Sequence, residues 1–168
     1  TAKYMAGQGA QVTIFDMDGE GAALTAAGHD NIRALSLDVT VEDACAAAID
    51  SAGQAMGGIT AAVNCAGIAT GIKTMGRDGP HPLGAFRKVI DINLVGSFNV
   101  ARLAAAKMAD NDPNADGERG VIVMDVSKER AGRPKVVRRA GGCQRGSQLS
   151  TTSKLAREPM PSVAASRF

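Results

Sequence analysis

A chain of 168 residues holds one domain of ordinary size and is too short for two. Its 45% hydrophobic content excludes wholesale disorder, and with aromatics at 3% and no Trp the core must be built from Ala, Val, Ile, Leu and Met. The net charge of +2 hides a divide: residues 128–168 carry ten Lys/Arg against two acids, so residues 1–127 stand at −6 and a boundary is expected near Ser127.

In chain order, Ala2 to Ala6 reads as the end of a helix that runs into a Gly9-Ala10 turn. Residues 11–16 (QVTIFD), 32–38 (IRALSLD), 59–64 (ITAAVN) and 120–126 (GVIVMDV) are short β-branched or small apolar runs. Strands buried on both faces give such runs in place of alternation. Helices are expected between them. Residues 18–27 are Ala-rich, and residues 41–56 open with Thr40-Val41-Glu42-Asp43, which has the form of a capping box with Thr40 as N-cap. Within 84–109, Phe86, Val89, Ile90, Asn93, Leu94, Ser97, Phe98, Ala101, Ala105 and Met108 fall at helical spacing and predict one buried face. Strands alternating with helices imply right-handed crossovers, and so an α/β fold with a doubly wound parallel sheet. Residues 128–168 show no sustained period and read as an irregular basic tail.

No stretch approaches the roughly 18 apolar residues of a membrane span, and the opening residues are not expected to form a signal or transit segment. Cys45, Cys65 and Cys143 are odd in number and lack metal spacing, so they are expected to be reduced thiols in a cytoplasmic protein without a metal site.

Several residues carry candidate chemistry. Asp16 ends a strand that follows a helix and a turn. An acid there binds the ribose 2′-OH in dinucleotide-binding folds and repels a 2′-phosphate, favouring NAD over NADP; otherwise it is a solvated strand-end acid. The glycine-rich phosphate loop belongs about 20 residues before such an acid, which falls ahead of residue 1. Asp38 could accept from an adenine amino group, or Asp38-Val39-Thr40 could simply start a helix. Asn64-Cys65-Ala66-Gly67 follows a buried strand with small residues that let backbone approach a ligand, or it is an ordinary turn. Asn93, on the apolar helix face, is a buried amide that must be hydrogen-bonded.

Together, Asp16, Asp38-Val39-Thr40, Asn64-Cys65-Ala66-Gly67-Ile68, Asn93-Leu94-x-Gly96 and Gly120-Val121-Ile122-Val123 resemble the short-chain dehydrogenases/reductases from about residue 2 to Ser127. Within that family, Asn64 to Ile68, Gly71-Ile72-Lys73-Thr74 and Phe98-Asn99-Val100-x-Arg102-Leu103 look most like the type 2 3-hydroxyacyl-CoA dehydrogenases, also called 17β-hydroxysteroid dehydrogenase type 10. The resemblance implies a Rossmann-like domain over 1–127. NAD is the implied cofactor, exchanging a hydride with a secondary alcohol or ketone. It puts Asp16 on the adenosine ribose, Asp38 and Val39 beside the adenine, and the backbone of Asn64, Cys65, Ala66 and Gly67 along the cofactor cleft. Asn93 would support a proton-relay water, and Ser127 would polarise the substrate unless it merely caps a strand end. Homotetramers joined through long helices such as 84–109 are implied for the full-length parent.

The chain departs from this pattern after Ser127. Ala140 stands where the family has its Tyr and Gln144 where it has its Lys. Ser150-Thr151-Thr152-Ser153-Lys154 keeps only the outline of that motif, and a serine hydroxyl cannot replace a phenol as general acid-base. The chain itself is therefore expected to be inactive. The Arg/Gly/Ser/Pro bias after about Met124 is what an out-of-frame translation of a GC-rich gene would give. With the first strand absent from the order 3-2-1-4-5-6, two central edges are expected to lie unpaired, leaving the chain marginal and aggregation-prone. Two other readings compete: a non-catalytic nucleotide-binding remnant, and nucleic-acid binding through the +8 tail. The second has little support, because only Phe168 accompanies the tail's cations.

Overall fold

The computed structural model describes residues 1–125, 137–140 and 163–166. It is an α/β structure. Strand β1 (Val12–Asp16) is fully buried along Val12, Thr13, Ile14 and Phe15. Successive side chains leave a strand on opposite faces, so each face needs its own cover. Val12 and Ile14, with Ile32, Ala61 and Val63, pack against Ala6 of α1 (Ala2–Gly7) and Ala22 of α2 (Gly19–Ala26). Phe15 and Ala62 pack on the other face against Cys45, Ile49 and Ala52 of α3 (Glu42–Met56) and against Val100, Ala104 and Met108 of α5 (Ser97–Ala109). Helices on both faces make the sheet doubly wound, as the unalternating apolar runs predict.

Strands β2 (Ile32–Ser36), β3 (Ala61–Asn64) and β6 (Gly120–Met124) end within two residues of their expected limits. Two residues each, Met75–Gly76 (β4) and Gly79–Pro80 (β5), form a separate small hairpin. The main sheet has six strands in the order β2-β1-β8-β3-β6-β7. Its last two members come from the basic segment: β7 (Val137–Ala140) is an antiparallel edge on β6, and β8 (Val163–Ser166) lies between β1 and β3, parallel to both.

This corrects the expectation of two unpaired central edges. Val163 pairs with both Val12 and Ala61, and Ser166 with both Phe15 and Asn64. The gap between β1 and β3 is thus filled by a strand from the far end of the chain. A four-residue run of small and β-branched residues (VAAS) gives too short a period to read in the sequence, and the partners that stabilise it lie about a hundred residues or more away.

The long helical stretch also differs from expectation. It is α4 (Leu83–Ile90), a π-helical turn (Asp91–Gly96) and α5. The wider turn shifts the helical phase. The buried residues are Ile92, Gly96, Ser97, Asn99, Val100, Ala104 and Met108, whereas Phe86, Leu94 and Phe98 of the expected face are exposed. By length and composition alone this 27-residue stretch, Leu83–Ala109, is apolar enough to cross a membrane, a property that counting only strictly apolar runs overlooks. Here its α5 part covers the sheet, with Lys107 ion-paired to Asp50 of α3 at 2.8 Å.

Replacing Ala165 by Pro removes one backbone donor from the central strand. At about 1–3 kcal/mol for a buried acceptor left unpaired, the loss corresponds to a fall of roughly 2–12 °C in melting temperature for a domain of this size. An unchanged calorimetric midpoint would show that β8 does not belong to the folded sheet.

Candidate functional site

Parallel strands deliver their carboxyl ends to one edge of the sheet, and the loops that leave them frame a crevice there. A cleft of about 660 Å³ opens at the ends of β1 and β2. Asp16, Met17 and Asp18 contribute from the β1–α2 turn, and Asp38 and Thr40 from the β2–α3 turn. Ile68 adds to it from the segment after β3, and Gly84, Arg87, Lys88, Asp91 and Ile92 come from α4 and the π turn. Asp16 and Asp38, distant in sequence, therefore meet at one cavity.

Local hydrogen bonds fix both acids. Asp16 Oδ1 accepts from the Asp18 N–H at 2.9 Å, and Asp18 Oδ1 accepts from the Gly21 N–H at 3.0 Å, capping α2. Asp16 Oδ2 makes no hydrogen bond among the described residues and remains available to a hydroxyl. Asp38 Oδ1 accepts from the Thr40 N–H at 2.9 Å and the Thr40 hydroxyl at 2.7 Å. Thr40 is thus not the N-cap of α3. Val41 holds that position, with no side-chain cap.

Val39 is buried, and its carbonyl accepts from Asn99 Nδ2 at 3.3 Å and Cys45 Sγ at 3.4 Å. Its side chain sits against Gly96, where a Cβ would come within 2.5 Å of Val39 Cγ2. Only glycine lets the helix approach this closely. Burial pushes the Cys45 thiol above its ordinary value of 9.0. The Asp38 carboxylate adds to the rise, while the hydrogen bond to Asn99 and the Arg102 charge oppose it.

Asn64 is buried and donates from Nδ2 to the Ser97 carbonyl at 2.9 Å, tying β3 to the start of α5. Cys65 is half-buried and Ala66 lies in the core. None of Asn64, Cys65, Ala66 or Gly67 lines the cleft with its side chain; the next residue, Ile68, does. Asn93 clamps that residue: Oδ1 accepts from the Ile68 N–H and Nδ2 donates to the Ile68 carbonyl, both at 2.8 Å. Asn93 is exposed, which corrects the expectation of a buried amide. The π turn carries it out of the packed face while leaving both its polar groups satisfied. Gly67 lies alongside it, where a Cβ would make an ordinary contact 3.4 Å from Asn93 Oδ1.

Ala140 lies in β7, opposite Gly120. Ser127, Gln144 and residues 150–154 lie outside the described residues. Sequence reasoning missed Arg87, Lys88 and Asp91 as cleft residues. A charged triplet on a helix looks like a solvated face unless the neighbouring strand ends are known.

A family model described as "Enoyl-(Acyl carrier protein) reductase" matches residues 1–162. The 3-hydroxyacyl-CoA dehydrogenase type-2 of Drosophila melanogaster is 42% identical over 130 residues, covering 76% of this chain and 51% of the relative. The chain belongs to the short-chain dehydrogenase/reductase family. The rat protein of the same name is 38% identical over 166 residues, covering 96% of this chain and 62% of the relative, so similarity runs past residue 127. The crystal structure of 3-hydroxyacyl-CoA dehydrogenase type-2 from Mycobacterium avium superposes with a TM-score of 0.64 at 37% identity, over 70% of this chain and 46% of that one. The chain spans about half the length of several of the relatives it matches.

Two outcomes follow from the packing around Val39. Gly96→Val should destabilise the protein at the upper end of the about 1–3 kcal/mol typical of overpacking, read as a lower urea midpoint; a midpoint within error of the parent would refute the contact. For Cys45, the folded thiol ionises later than the unfolded one. Its contribution is present below 9.0 and is lost as pH rises through the folded value. Melting temperature should fall on that alkaline limb and fall less in Cys45→Ala. Native alkylation mapped by mass spectrometry should label Cys65 well before Cys45.

Proposed function

We propose that this chain is the nucleotide-binding part of an NAD-dependent oxidoreductase of the 3-hydroxyacyl-CoA dehydrogenase type, and that by itself it binds nucleotide without turnover. The observation that carries this reading is the convergence of Asp16 and Asp38 on one cleft at the carboxyl ends of adjacent parallel strands. The residues present fit the adenosine end of NAD. Asp16 offers an unengaged carboxylate oxygen to the ribose hydroxyls, and Asp38, with Oδ1 held by Thr40, has Oδ2 left to accept from the adenine amino group. The Asn64-Cys65-Ala66-Gly67 segment leads the chain to Ile68 at the cleft and, in this reading, follows the cofactor with its backbone.

NAD, when bound, supplies the hydride acceptor for a secondary alcohol such as a 3-hydroxyacyl-CoA or a hydroxysteroid. Asn93 holds Ile68 in place, and any relay water it supports would use the lone pair left on Oδ1. Ser127 would polarise the substrate oxygen. With Ala140 and Gln144 at the positions of the family's Tyr and Lys, no side chain there can move the substrate proton. Phe86, Leu94 and Phe98, exposed along α4, the π turn and α5, support association of the parent enzyme with copies of itself through this helix.

Isothermal titration should show NAD binding at least tenfold tighter than NADP, with Asp16→Ser narrowing that gap, and no absorbance gain at 340 nm with a 3-hydroxyacyl-CoA present. NADP binding equal to NAD would overturn the role of Asp16, and turnover would overturn the inactivity.

A further inference from the structure

Behind the cleft a chain of polar contacts runs from Arg102 and Asn99, which do not line it, to Thr40 and Asp38, which do. Arg102 on α5 ion-pairs with Glu42 on α3 and donates from Nε and Nη2 to Asn99 Oδ1 at 3.1 and 2.8 Å. A guanidinium only donates, so the amide oxygen must face it and the amide NH2 must face away. That NH2 reaches the Val39 carbonyl at 3.3 Å. The Val39–Thr40 peptide is planar and trans, so its carbonyl and its N–H point in opposite directions. Holding the carbonyl among the helices therefore aims the Thr40 N–H back at Asp38 Oδ1, which it meets at 2.9 Å.

We propose that Asn99, oriented by Arg102, is a positioning residue that sets the aim of the Asp38 carboxylate through the Val39–Thr40 peptide, and so sets the protein's preference for adenine. This rests on the nucleotide reading above and adds a specificity determinant to it. Cys45 also donates to the Val39 carbonyl, at 3.4 Å, but a thiol is a weak donor and cannot hold the peptide alone. Gly96 seats the Val39 side chain and leaves rotation of the next peptide to the amide.

Asn99→Asp tests this. It keeps size and a partner for Arg102, and replaces the donor by a carboxylate oxygen that repels the Val39 carbonyl. The probes are adenosine and inosine monophosphates, which differ at the exocyclic group that Asp38 would accept from. The unsubstituted protein should prefer adenosine monophosphate. In Asn99→Asp that ratio should fall about tenfold, the equivalent of one lost hydrogen bond, with inosine monophosphate affinity little changed. Arg102→Met, which frees the amide to rotate, should shift the ratio in the same direction by a few-fold, and it serves if Asn99→Asp does not fold. A merely structural role would weaken both nucleotides equally, and an unchanged ratio overturns the proposal. If the unsubstituted protein binds neither nucleotide, the nucleotide reading fails. Amide exchange then decides the relay: it stands if Thr40 exchanges at least tenfold faster in Asn99→Asp while α5 is unaltered, and falls if Thr40 is unchanged.

Discussion

In a parallel pair, both strands carry their last residues to the same edge, and β1 and β2 pair in register from Val12 with Ile32 to Asp16 with Ser36. Everything at the cleft depends on that pairing. It brings Asp16 beside the turn that carries Asp38, and the Leu37 N–H then donates to the Asp16 carbonyl at 2.9 Å and joins the two turns directly. An antiparallel pair would send the two carboxylates to opposite ends of the sheet.

Parallel pairing in turn requires burial on both faces, because the crossovers lay helices over each side. The core meets that demand with small side chains. Its largest fully buried residues are Phe15, Ile49, Ile59 and Met108, and much of the rest is Ala and Val. Small side chains allow close approach. Gly120 would place a Cβ 2.5 Å from Met108 Sδ, and Gly96 would do the same to Val39. Close approach also makes the sheet dependent on every strand position being filled, which gives the short central strand β8 its importance.

Asparagine amides supply much of the long-range polar stitching. Asn31 Nδ2 donates to the Ala6 and Ala10 carbonyls, Asn64 to Ser97, Asn93 to Ile68, Asn99 to Val39, and Asn111 to Ile59 and Arg119. Each bond contributes only about 0.5–1.5 kcal/mol net, but each lies at a loop or a strand end where no sheet ladder can hold the chain. Two of the five, Asn93 and Asn99, hold segments that border the cleft.

The amino-acid sequence by itself determined the alternation of strands and helices, the strand ends to within about two residues, and the acids Asp16 and Asp38, because short apolar runs and strand-end polar residues are local signals. It also carried the motifs that mark the family. Only the tertiary structure decided that β8 fills the centre of the sheet, that a π turn rotates the long helix and exposes Asn93, that Thr40 serves Asp38 instead of α3, and that Arg87, Lys88 and Asp91 reach the cleft. Each of those outcomes is set by partners far away in the chain, and periodicity within one segment holds no information about them.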